Sequence, residues 1–251
     1  MPALRLRWKA LDLDPTLGEP HAAWSWVLIR DWDFAGAERE LKKAVQLSPS
    51  YAEGHHQYSH LLLLLGRFDE SLIESKKYLQ FDPLSASPIG HLGFHYLYAR
   101  EYDQAIQLSK ESLKVYPNDA DTHIQLGDAY YQKRMSREAL EEYLEGFRLK
   151  ATAPDQIAHL REAFAKEGIQ GYMRQRIDDL KSNQPISEQD WLNIAALYAR
   201  LGEKDQAFDW LEKASAVHSG GLVGLKMGLA WDNLRSDPRY TGLLQRVGLP
   251  Q

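Results

Sequence analysis

Apolar residues recur along this chain at i, i+3 and i+4, and the beat stops and restarts on a fixed cycle. Pro15, Pro49, Pro83 and Pro117 stand 34 residues apart and close related phrases, LDLDP, VQLSP, LQFDP and LKVYP. A proline cannot sit inside a helix, so each one ends a helical segment. With the proline as position 32, the full units are 18–51, 52–85, 86–119 and 120–153. Position 8 is small (Ser25, Ser59, Gly93, Gly127), and so is position 20 (Ala37, Ser71, Ala105, Ala139). Large residues fill position 7 (Trp24, Tyr58, Leu92, Leu126), position 11 (Leu28, Leu62, Tyr96, Tyr130) and position 30 (Leu47, Phe81, Val115, Leu149). The pattern predicts two helices per unit that approach closely at the small residues and bury the large ones around them. A unit of this length cannot bury its apolar face alone, so the units must stack.

This pattern resembles the tetratricopeptide repeat, most fully at Leu126, Gly127, Tyr130, Ala139 and Tyr143. It returns at 188–221 through Trp191, Ile194, Ala195, Tyr198, Gly202, Ala207, Leu211 and Ala214. Ser75 and Ser109 replace the family's large residue at position 24, and Tyr78 and Ser112 replace its alanine at 27. The resemblance implies an all-α, right-handed superhelical solenoid of antiparallel helix pairs. Residues 1–17 read as the second helix of a truncated repeat, and 18–153 as four units. Residues 154–187 read as a divergent helical pair broken near Gly168, 188–221 as a fifth unit, and 222–251 as capping helices. In the cap, Leu234, Tyr240, Leu243 and Leu244 are expected to cover the last core layer, with Arg235 and Asp237 facing water. The half unit leaves Ala3, Leu6 and Ala10 bordering solvent, and self-association through this edge is expected.

In the resembled family the first helix of each unit lines a concave groove. Carried onto this chain, the lining is Trp26 and Arg30, then His56, Gln57, His60 and Leu64. Next come His91, Phe94 and Tyr98, and then Gln125, Asp128 and Tyr131. The lining is aromatic, imidazole-rich and apolar, which suits a protein or peptide ligand with apolar anchors. Trp26, His60, Phe94 and Tyr98 are expected to form one strip. The family's carboxylate clamp needs fixed cations, and its positions here hold Ala22, Trp26, Gln57, Ser87 and His91. The tail WDNLRSDPRYTGLLQRVGLP is similar to tails of bacterial multidomain regulators, so the alternative is a small-ligand-binding sensory module of a transcription regulator or kinase.

Composition narrows the chemistry. Net charge is −5 with no basic block, which argues against direct nucleic-acid binding. There is no cysteine, hence no disulfide framework or thiolate metal site. The longest apolar run, 61–65, is too short for membrane insertion. A cytoplasmic location is expected, and a periplasmic one is compatible. No P-loop, G-x-S-x-G or G-x-G-x-x-G occurs, so an enzyme is not expected. His56 and His60 have the i, i+4 spacing of a zinc pair, and His91 can approach from the next unit. Without cysteine or an H-E-x-x-H pattern, packing is the reading adopted for the histidines, and no metal or cofactor is expected. His21, His55 and His123, all at position 4, are read as structural.

Overall fold

The computed structural model describes residues 16–83, 87–182 and 184–250, with backbone alone for 87 and 88. The truncated first helix and its edge fall outside the described residues, apart from its last two positions. Among the described residues the chain is an all-α solenoid without strands. The four regular units pair α1 (Glu19–Arg30) with α2 (Phe34–Leu47), α3 (Ala52–Leu64) with α4 (Phe68–Phe81), α5 (Ser87–Tyr98) with α6 (Tyr102–Val115), and α7 (Ala120–Gln132) with α8 (Ser136–Leu149). The long α9 (Pro154–Ser182) follows, and then α10 (Glu188–Leu201) with α11 (Lys204–Ala216).

Each pair closes with the same turn. Position 15 is left-handed in all five units: Trp32, Gly66, Arg100, Arg134 and Gly202 have φ of 62, 75, 67, 61 and 81°. The next N–H reaches back to the carbonyl at position 11, as from Arg67 to Leu62 at 2.9 Å and from Glu203 to Tyr198 at 3.0 Å. This is the hydrogen bond that satisfies an orphan carbonyl at a helix end. Small residues then meet across the pair. Ser25, Ala37, Ser59, Ser71 and Ala139 have no exposed surface. A Cβ on Gly127 would stand 2.7 Å from the Tyr143 ring, so α7 and α8 touch where a side chain has no room.

α9 is two helices in one trace. Glu167 and Gly168 leave helical geometry, and Gly168 adopts φ 63°. Its second half buries Tyr172, Met173, Ile177 and Leu180, and the Tyr172 ring stacks on Tyr143 at 5.6 Å. Ser187 accepts from the Asp190 N–H and caps α10.

The last segment does more than cover the end of the array. It runs through short 3₁₀ turns at Gly220–Gly224 and Leu229–Trp231 into α12 (Pro238–Val247). Leu234, Tyr240, Leu243 and Leu244 are buried. On the way it crosses the turns of the early units: His218 stacks on Trp32 at 3.4 Å, Lys226 lies against Gly66, and Asp232 accepts from Arg100 at 2.6 Å. Leu229 packs with Leu97 and Ala105, and Asn233 donates to the Ala199 carbonyl. Arg235 and Asp237 do not simply face water. Arg235 is half-buried and donates to the Lys226 carbonyl at 2.9 Å, and Asp237 caps α12. Both differences arise because the tail must satisfy its own irregular backbone, which no helix ladder does for it.

Candidate binding groove

The first helices α1, α3, α5 and α7 present one wall. Trp26 is 43% exposed, and its ring lies 6.4 Å from His60. His60 lies 5.7 Å from Phe94, and Phe94 lies 4.7 Å from Tyr98. The four rings form an unbroken row through three units. Arg30 is exposed beside Asp31, and Leu64 and Tyr131 are half-buried against the core. Gln57 is buried, its amide donating to Glu53 at 2.9 Å, so it supports the wall from behind.

An open pocket of about 650 Å³ lies at the middle of the row. His60, His91, Phe94 and Gln125 line one side, and Ser112, Tyr116 and Asp119 the other. The Gln125 side-chain oxygen is buried there without a hydrogen-bond partner. Burial pushes the Tyr98 hydroxyl well above its usual range, so it stays a neutral donor.

A second pocket, about 470 Å³, continues the wall past Asp128. Asp128 accepts from Arg200 at 2.7 Å and from the Tyr143 hydroxyl at 2.7 Å. Burial works against the Arg200 charge, but Asp128 and Tyr143 outweigh it and hold the guanidinium protonated. Gln189, Asn193, Ala196 and Arg200 line this pocket. They occupy positions 2, 6, 9 and 13 of the fifth unit, where the sequence reading did not follow the groove. Arg176, from the divergent pair, had no register to reveal it.

The structure also gathers four imidazoles at the strip, with His60 common to both. His56 and His60 come from successive turns of α3, and His91 and His95 from successive turns of α5. Nε2 of His60 lies 3.2 Å from that of His56 and 3.0 Å from that of His91. The His95 Nε2 lies 3.0 Å from the His91 Nε2. His95, fully buried, was not singled out from the sequence, although its i, i+4 spacing from His91 repeats that of His56 and His60. Tyr78 covers the group, 4.8 Å from His56 and 5.2 Å from His91. Burial first, and neighbouring histidines second, lower the His60 pKa to about 3 and pull His91 and His95 well below the usual histidine range.

No described helix is long and apolar enough to cross a membrane. A family model described as a tetratricopeptide repeat matches residues 191–216. A search of curated protein sequences returns no match. Solved structures share the architecture at low identity. The Cut9–Hcn1 hetero-tetramer of the APC/C superposes with a TM-score of 0.63 at 13% identity, over 98% of this chain and 45% of that one. This chain therefore spans less than half of that relative. The human IFIT1 dimer with PPP-AAAA gives 0.59 at 18% identity, over 96% and 66%. PilF of Pseudomonas aeruginosa gives 0.55 at 19% identity, over 82% and 94%. With the repeated turn, the small residues at positions 8 and 20 and the matched segment of the fifth unit, the described chain has the fold of a tetratricopeptide-repeat solenoid.

Proposed function

We propose that this chain is a protein-interaction scaffold whose groove takes a peptide segment with apolar anchors. The unbroken ring row Trp26–His60–Phe94–Tyr98 carries the reading. Rigid aromatic side chains give large contact area at low entropic cost, and they dominate binding where a partner desolvates them. The unpartnered Gln125 oxygen offers an acceptor for a ligand N–H beside that row. The role is one of binding, not catalysis. The second reading, a small-molecule sensor, draws on the pocket at the row's centre, whose volume of about 650 Å³ lies within the span of small-molecule sites.

Panning a displayed peptide library against the full chain and against a Trp26→Ala/Phe94→Ala variant tests the proposal. The wild type should enrich peptides with apolar anchors that the variant does not hold. A variant that keeps the same peptides, with wild-type helix content, would overturn it. Loss of a soluble metabolite rather than of peptides would favour the sensor.

A further inference from the structure

The histidine group at the strip cannot be satisfied by its own protons. His56 Nδ1 lies 3.2 Å from both oxygens of Glu53. An ionised carboxylate only accepts, so that nitrogen carries the proton and His56 Nε2 is a bare lone pair. At the other end, the Ser71 hydroxyl donates to the Ser59 carbonyl at 2.9 Å. Its oxygen must then accept from His95 Nδ1, 2.5 Å away, which leaves the His95 Nε2 bare as well. Three Nε2 contacts lie between these fixed ends: His56–His60, His60–His91 and His91–His95. Filling the first requires a proton on His60, and filling the last requires one on His91. The middle contact, 3.0 Å, then sets N–H against N–H. Every arrangement of neutral rings leaves at least one contact repulsive. An additional proton is no remedy, because burial disfavours charge on these rings.

A cation bound by His56, His60 and His91 removes the conflict at the first two contacts. Tetrahedral zinc with nitrogen ligands at 2.0–2.1 Å sets those nitrogens about 3.3 Å apart, against 3.2 and 3.0 Å here. The rings of His56, His60 and His91 stand edge to face, 66 to 79° from one another, and offer their ligand atoms within 4.8 Å. The outer partners are in place too. Glu53 orients His56, and Ser75 lies 3.1 Å from the His91 Nδ1. A carboxylate or hydroxyl on the far nitrogen is what a metal-bound histidine needs.

A second line of argument comes from the repeat itself. Ser71, Ser75 and Tyr78 differ from their counterparts at positions 20, 24 and 27, where the other four units carry alanine, a large residue in all but Ser109, and a small residue. All three contact this group: Ser71 holds His95, Ser75 holds His91, and Tyr78 covers His56 and His91. Three departures in one helix share one neighbour.

We propose that His56, His60 and His91 bind a divalent transition metal ion, of which zinc fits best, with His95 adjoining on the buried side. Neutral imidazoles without thiolate or carboxylate in direct contact favour zinc, copper, nickel or cobalt over magnesium or calcium. His60 and His91 also line the central pocket, which supplies a path for the ion.

The test is a titration of the full-length, tag-free chain, stripped with a chelator, with zinc chloride in a calorimeter. A parallel titration with cobalt chloride follows visible absorption. One ion per chain is expected, with a tetrahedral cobalt spectrum and a raised melting temperature. His60→Asn should weaken binding beyond the ~10–100-fold typical of losing an outer-shell partner, and Ser75→Ala should fall within that range. His123→Asn should bind as the wild type does, since that ring is committed to Glu142. Because His60→Asn could itself unfold the chain, His56→Asn, at a half-exposed position, is measured beside it with a circular dichroism check. No stoichiometric binding by the wild type, or full binding by a folded His56→Asn variant, would overturn the proposal. Neither result bears on peptide capture, which the Trp26→Ala/Phe94→Ala variant reads separately.

Discussion

His55 Nδ1 lies 2.5 Å from a carboxylate oxygen of Glu74, and its other ring nitrogen lies 2.8 Å from the Pro49 carbonyl. The same bond joins His21 to Glu40 and His123 to Glu142, each at 2.6 Å. These are positions 4 and 23 of the unit. In the third unit both positions turn apolar together, to Ile89 and Leu108. A half-replaced pair would strand a buried polar group, which costs more than losing both. Glu74→Ala should therefore destabilise the chain by about 1–3 kcal/mol, measured by urea unfolding.

The same pair sets an acid response. Burial pushes the Glu74 carboxyl up, but hydrogen bonds from His55 and Lys77 outweigh it, and its pKa falls below the usual 4.5. Folding thus favours the ionised form. The stabilisation is complete above about pH 4.5 and is lost as pH drops through the lowered value. Between neutral and acid pH, urea midpoints of the wild type should fall further than those of Glu74→Gln.

Gly127→Leu should destabilise by about 1–3 kcal/mol or more, because the Tyr143 ring occupies the space a side chain would need. Glu145→Gln touches only the exposed ion pair with Arg148 and should stay within about 0.5 kcal/mol. Thermal melts of the two variants separate the close helix contact from a solvated face.

Arg200→Met should weaken the array, toward the lower end of the ~3–5 kcal/mol seen when one partner of a buried pair is removed. Asp128 would keep only the Tyr143 hydroxyl. Asp128→Asn, which retains hydrogen-bonding capacity, should cost less, and the order of the two melting temperatures checks this.

Trp26→Ala and Phe94→Ala should each reduce affinity for a captured peptide by about 2 kcal/mol, read by titration of that peptide. Trp26 is the safer variant for folding, being far more exposed than the core aromatics Tyr58 and Tyr130.

Much of this architecture is legible in the sequence because stacking imposes one residue size per position. Ser25, Ser59, Ala37 and Ala139 announce the close contacts, and Trp26, His60, Phe94 and Tyr98 announce the row. What escapes is whatever crosses between registers. The Asp128–Arg200 bond spans a divergent pair that keeps no period. The role of Ser71 and Ser75 is invisible until two units are superposed, since Ser71 reads as an ordinary small residue at position 20 and Ser75 as a departure at position 24.

In a simple solenoid each repeat answers only to its neighbours, and its units can form in any order. Here Arg100 meets Asp232, 132 residues later, and Trp32 waits for His218. A ribosome delivers the early units first, yet their turns find these contacts only when the last segment emerges. The turns of the early units are therefore held by residues that lie far beyond them in the chain. A chain lacking residues 218–250 would hold its repeats in sequence but leave these turns without those partners.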